Sequence, residues 1–211
     1  MQLWPVRLKH TDALCCITGV GPVNAALALG YALGRVAAAG QTLDLVIVAG
    51  LAGAFDLAAC PLRSLCVVRE EIWPEYGLHD GVQVNAGAFG HPLWQQDSDV
   101  SVRDRLSLPA PEKLKGLGIH WQDKLFASCT SLTVAGVSAS FARAADMRLR
   151  FKADLENMEG FAVAYACARH SVPCLEIRSV SNKVGPRSKD EKDFPGALAA
   201  LTRVLPALNL I

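Results

Sequence analysis

Asn157-Met158-Glu159-Gly160 and Arg178-Ser179-Val180-Ser181-Asn182 are polar clusters set in otherwise apolar sequence, and they hold the chain's best candidates for chemistry. Glu159 offers only hydrogen-bond acceptors and a negative charge. Asn182 offers two N–H donors and one acceptor, and Arg178 a permanent cation. Plainer roles compete with chemistry for two of these residues. An acid such as Glu159 is favoured at the start of a helix, where the macrodipole is positive. An Asn ahead of Gly185-Pro186 suits a turn.

The elements between the clusters must position them. Phe161 to Cys167 reads as a helix of small residues without interior Gly or Pro, and Val172 to Ile177 reads as a strand. The clusters therefore sit at the two ends of one helix-then-strand unit, where α/β proteins place ligands. Upstream, Ala13 to Thr18 reads as a buried strand that breaks into Gly19-Val-Gly21-Pro22. A helix from Val23 to Ala39 follows, with Gly40 at its end. Leu43 to Val48 is a continuous apolar run, as for a strand covered on both faces, and it runs into Ala49-Gly-Leu-Ala-Gly53. These units predict a right-handed βαβ element. The glycines alone fit no dinucleotide fingerprint or P-loop, and tight turns explain them equally well.

Leu65 to Arg69 and Ser131 to Val137 read as further strands, and Ser138-Ala-Ser140 as the cap of a helix from Phe141 to Phe151. Arg143, Arg148, Arg150 and Lys152 form its solvated face. Glu70 to Gly118 lacks periodicity and reads as a long surface excursion. Its Glu75, His79, Asp80 and His91 have no metal-site spacing and read as surface polar residues. Phe194 to Leu208 predicts a terminal amphipathic helix. The whole is one α/β domain over residues 1–211, with a central mixed, mostly parallel sheet flanked by helices.

Composition narrows the class. The chain has 211 residues, 51% hydrophobic and 19% charged, enough for a sizeable core. Net charge is +1 with no basic block, which gives no electrostatic case for nucleic acid. No apolar run reaches the length of a membrane span, and no signal peptide is visible. Seven cysteines without paired spacing read as buried thiols in a reducing cytoplasm.

Four motifs in order carry a family likeness: Thr18-Gly-Val-Gly-Pro-Val-Asn24, Ala49-Gly-Leu-Ala-Gly-Ala-Phe-Asp56, Asn157-Met-Glu-Gly160 and Arg178-Ser-Val-Ser-Asn182. Together they resemble the purine nucleoside phosphorylase and nucleosidase superfamily. Glu75-Tyr-Gly-Leu-His-Asp-Gly81 and Ser181-Asn-x-Val-x-Pro-Arg187 are similar to its futalosine hydrolases in particular. The resemblance implies cleavage of an N-ribosidic bond, which builds positive charge on the sugar and negative charge on the leaving purine. It assigns Glu159 to the ribose hydroxyls, Met158 to packing on the sugar, and Ala52 and Gly53 to close backbone approach. Arg178 and Phe141 join the substrate-binding set. Asn182 stands where adenine-specific relatives carry Asp, and its donors suit N7 and O6 of a 6-oxopurine such as hypoxanthine.

The resemblance further implies no metal and no organic cofactor, a cytoplasmic enzyme of menaquinone biosynthesis, and a homo-oligomer, a dimer or a multiple of one. No arginine follows the second Gly-rich strand until Arg63, which favours water over phosphate as nucleophile, and Leu51 replaces a commonly polar residue. Lys183, Arg187 and Arg143 are candidate partners for the substrate's carboxylate. Relatives carry an extra strand and a water-activating glutamate ahead of the position of Ala13. The first strand is therefore expected to be missing, and Asp12 is poorly placed to replace the glutamate. Two alternatives stay open: another purine nucleosidase or phosphorylase, of methylthioadenosine/adenosylhomocysteine or inosine type, and a non-catalytic nucleoside-binding protein.

Overall fold

The structure, a computed structural model, describes residues 1–95, 101–186 and 191–211. It opens with a hairpin of β1 (Trp4–Arg7) and β2 (Asp12–Cys15), followed by α1 (Pro22–Ala38), β3 (Val46–Ala54) and β4 (Leu65–Ile72). Short strands β5 (Leu78–His79), β6 (Val84–Asn85), β7 (Trp94–Gln95), β8 (Ser101–Val102) and β9 (Arg105–Ser107) come next. After a 3₁₀ turn at Pro111–Leu117 come β10 (Phe126–Thr133), α2 (Phe141–Phe151), β11 (Leu155–Asn157), α3 (Gly160–Arg169), β12 (Cys174–Lys183), α4 (Phe194–Leu201) and α5 (Val204–Ala207).

The main sheet runs β10-β11-β3-β12-β4-β9, and β10 also pairs with β4, so five of its strands close on themselves. Its two longest ladders, β3 with β12 and β4 with β10, are parallel, whereas β11 with β3, β12 with β4 and β4 with β9 are antiparallel. This is the mixed, helix-flanked sheet that the sequence implied. Closure gives β12 and β4 partners on both edges. The apolar Leu65-Cys-Val-Val68 run of β4 is buried, whereas Val46-Ile-Val48 of β3 is half-buried.

Side-chain alternation sorts the core. Cys66 and Val68 of β4, with Cys174 and Val180 of β12, pack under α3 and the inner face of α1 (Ala25, Leu29, Leu33). Leu65 and Val67, with Leu175 and Ile177, face the opposite way, toward Ala200 of α4 and Val204 and Ala207 of α5. A third cluster packs Ala144 and Met147 of α2 on Phe55, Ile72 and Leu132.

Several expectations change. The run at 13–18 is not a buried central strand: among the described residues β2 pairs only with β1, and Leu14 and Cys15 are exposed. A short apolar run has the same composition in a half-covered hairpin as in a core strand, so periodicity could not separate them. With β2 and β3 in different sheets, β2-α1-β3 is not a βαβ unit. The excursion from Glu70 contributes β9 to the main sheet, where Glu71 pairs with Leu106. The terminal helix is split at Thr202 and Arg203 into α4 and α5. Five of the seven cysteines are buried, Cys16 is half-buried and Cys15 is exposed; all are free.

Candidate active site

The site is assembled where β11 hands over to α3. The first N–H groups of a helix need acceptors, and two neutral side chains provide them here. Asn157 Oδ1 accepts from the N–H of Glu159 (2.8 Å) and of Gly160 (2.7 Å). Thr133 Oγ1 accepts from Phe161 N–H at 2.7 Å. Glu159 occupies the cap position, yet its side chain makes no cap hydrogen bond. Its carboxylate instead reaches out of the element: Oε1 accepts from Gly21 N–H and Oε2 from Arg178 Nη1, both at 3.1 Å. The helix-start role anticipated for an acid thus falls to Asn157, and Glu159 retains lone pairs for a ligand.

Arg178 sits at the centre, with only 2% of its side chain exposed. Nε donates to Glu176 Oε1 at 2.7 Å, Nη1 to Leu51 O at 3.2 Å, and Nη2 to Asn157 Oδ1 at 3.1 Å. Burial alone would lower its pKa, but the charges of Glu176 and Glu159 outweigh that and hold it above the ordinary value.

Missing side chains make the room. A Cβ on Gly50 would meet Arg178 Nη1 at 2.7 Å, and one on Gly53 would meet Asn182 Nδ2 at 3.0 Å and Val184 Cγ2 at 2.9 Å. A Cβ on Gly160 would strike Glu176 at 2.4 Å and Glu71 at 2.5 Å. Gly21 takes φ 97°, which suits glycine and turns its N–H toward Glu159.

Two irregularities in the sheet aim the remaining groups. Between β10 and β4 the pairing steps from Cys129↔Val68 to Thr130↔Glu70, which leaves Arg69 as an extra residue. The slip reverses the alternation, so Glu71 joins the face of Cys66 and Val68 beneath α3. Between β12 and β3 it steps from Val180↔Ala52 to Asn182↔Gly53, with Ser181 as the extra residue. Asn182 is half-buried; its Oδ1 accepts from Ser181 Oγ at 2.9 Å and its Nδ2 donates to Lys183 O at 2.8 Å.

The sequence-predicted residues therefore collect around the end of β3. Ala52 and Gly53 are buried, Met158 is half-buried beside Glu159, and Arg178 joins Glu159 to Leu51. Phe141 is 66% exposed at the start of α2, and its ring lies 3.8 Å from the Cβ position of Gly185, in the loop after Asn182. Arg143 faces Glu75 at 3.4 Å and Lys183 faces Glu191 at 2.7 Å; Arg187 lies outside the described residues. Asp12 is spent on Arg7 at 2.6 Å on the exposed hairpin. Glu75 also accepts from Ala135 N–H, and Asp80 from the N–H groups of Val82 and Gln83, so these acids serve loops. Among the described residues, no group of three metal-ligating side chains lies together. A cavity of about 630 Å³ under the hairpin and another of about 260 Å³ beside Arg150 do not touch Glu159 or Asn182.

Sequence reasoning missed Glu71, Glu176 and Thr133. Glu176 left a signal: two charges spaced by two, Glu176 and Arg178, in an apolar strand share one face. Glu71 left none, because its orientation depends on the slip at Arg69.

Comparison with known proteins identifies the family. The profile of the phosphorylase superfamily matches residues 4–208. The futalosine hydrolase of Streptomyces coelicolor is 37% identical over 87% of this chain and 73% of its own length. That of Thermus thermophilus is 32% identical over 95% and 83%. The fold is shared with a mutant futalosine hydrolase of Helicobacter pylori, at TM-score 0.70 and 19% identity, over 98% of this chain and 84% of that one. The chain belongs to the phosphorylase superfamily, and within it its sequence is similar to the futalosine hydrolases.

Proposed function

We propose that this chain hydrolyses the N-ribosidic bond of futalosine, or of a close 6-oxopurine nucleoside, and releases hypoxanthine. The observation that carries the proposal is the Glu159 carboxylate, freed from capping α3 and held by Gly21 N–H and Arg178. Glu159 accepts from the ribose hydroxyls, and its charge stabilises the cation that develops on the sugar. Met158 packs on the sugar, and Ala52 and Gly53 let the main chain lie beside it. Gly53, opposite Asn182, lies three residues beyond Gly50, opposite Arg178. That separation is about 10 Å at strand rise, a span that suits a purine nucleoside. Asn182 donates to the departing purine, and Phe141 covers the base.

We read residues 1–211 as one cytoplasmic nucleosidase domain of menaquinone biosynthesis that assembles with copies of itself. An apolar stripe on α1 supports assembly: Val23, Leu27 and Tyr31 are 79%, 72% and 41% exposed. No helix among the described residues is long and apolar enough to cross a membrane. The test is incubation with futalosine, inosine and methylthioadenosine, with and without phosphate, while following free base. Hypoxanthine from futalosine without phosphate is the expected result. Adenine from methylthioadenosine with no hypoxanthine from futalosine rejects the proposal.

A further inference from the structure

Beneath α3 lie two acids that the proposed chemistry does not use. Glu71 and Glu176 are both 0% exposed. Each places an oxygen within 2.5 Å of the point where a Cβ on Gly160 would sit. The two carboxyl groups are therefore within about 5 Å of each other, a range in which like charges oppose ionisation. Arg178 of β12 is the cation they face, and it also serves Glu159 at the start of α3. Three carboxylates against one guanidinium would leave two uncompensated charges in a largely dry interior, which burial opposes.

The hydrogen bonds around the pair accommodate a proton. Glu71 Oε1 accepts from Asn157 Nδ2 at 2.7 Å, and Glu71 Oε2 lies 2.6 Å from Thr133 Oγ1. Thr133 Oγ1 lies 3.3 Å from Asn157 Oδ1, so it can accept from a protonated Glu71 and donate its own hydrogen onward. Glu176 Oε2 is fully buried without a hydrogen-bond partner among the described residues.

We infer that Glu71 and Glu176 hold one proton between them, on Glu71, so that Glu176 neutralises Arg178 and the cluster's net negative charge rests on Glu159. Burial first, then the Glu176 charge, push the Glu71 pKa well above its ordinary value, against smaller opposing effects of Thr133, Arg178 and Asn157. Glu71 and Glu176 are positioning residues that act through Arg178 and Asn157. The inference rests on the proposed role of Glu159 in holding the sugar.

Glu71→Gln, Glu176→Gln and the double variant test it. Each single change leaves one buried carboxylate for Arg178 and lowers kcat/KM on futalosine by no more than about fivefold. The double change leaves Arg178 only Glu159 and lowers it by about a hundredfold, far beyond the product of the singles. A single variant as impaired as the double, or a double as active as the parent, overturns the inference. A second readout needs no substrate. An acid with a raised folded pKa gives stability that is complete below its unfolded pKa and lost as pH rises through the folded one. Thermal midpoints of Glu71→Gln should therefore fall less than the parent's as pH rises above the ordinary carboxylate range. Identical profiles overturn the proton assignment whatever nucleoside the chain cleaves. A flattened profile without futalosine turnover keeps the proton and removes the proposed substrate.

Discussion

Glu159 is a carboxylate kept for a ligand by other residues doing the capping. Asn157 and Thr133 satisfy the start of α3, and Gly21 N–H and Arg178 aim the acid. Because Glu159 does not cap the helix, its loss should affect catalysis more than folding. Glu159→Gln is expected to lower kcat/KM for base release by about 10²–10³ while the thermal midpoint stays near the parent's. A collapse of the midpoint would instead make Glu159 structural. Asn182 carries a prediction of a different kind. An ionised Asp accepts from a 6-amino group where Asn donates to a 6-oxo purine. Asn182→Asp should shift the ratio of kcat/KM, hypoxanthine nucleoside over adenine nucleoside, by about tenfold or more toward adenine. An unchanged ratio would remove Asn182 from base recognition.

At the scale of elements, a Cβ at Gly160 would intrude on two buried carboxyl groups. Gly160→Ala should therefore cost about 3 kcal/mol or more, measured by denaturant unfolding. Ser140→Ala supplies the contrast. Ser140 Oγ accepts from Arg143 N–H at the start of α2, and losing that cap costs about 1 kcal/mol. Much of this level was legible in the sequence. Pro22, the serine before Phe141 and the uninterrupted small-residue run after Gly160 placed α1, α2 and α3, and the four motifs placed Glu159, Arg178 and Asn182 near one another. What was not legible turned on register. The extra residues Arg69 and Ser181 decide where Glu71 and Asn182 point, and a bulge depends on its partner strand. The hairpin was misread for a related reason: whether an apolar run is covered depends on which strands join it.

At the scale of the molecule, β3 has an unequal pair of edges. β12 follows it from Val46 to Ala54, whereas on the other edge β11 pairs only with Gly53 and Ala54. The apolar stripe of α1 leaves exposed carbon on the surface of the protein. If copies meet there, Leu27→Asp should shift the mass measured by light scattering to that of the single chain, and an unchanged mass places the interface elsewhere. Stability should also fall at both ends of the pH range. Asp193 accepts from Gly196 N–H and pairs with Arg63; these hold its pKa low, so its contribution is lost as pH falls through that value. Glu156, buried and accepting from Ser138, has a raised pKa, with burial the main cause. Its contribution is lost as pH rises through the folded value, and Glu156→Gln should flatten the alkaline side of a thermal-midpoint profile.

The distribution of thiols turns the protein into its own optical probe. Maleimide dyes react with thiolates that they can reach. Five sulfurs are sealed inside, and Cys16 is held back by partial burial and by Cys15 beside it, which raise its pKa. A single equivalent of dye should therefore go to Cys15, just upstream of the Gly19–Gly21 turn whose last N–H holds Glu159. A fluorophore there sits on the segment leading into the sugar site, so its emission can follow ligand arrival in a stopped-flow cuvette, ahead of any bond cleavage.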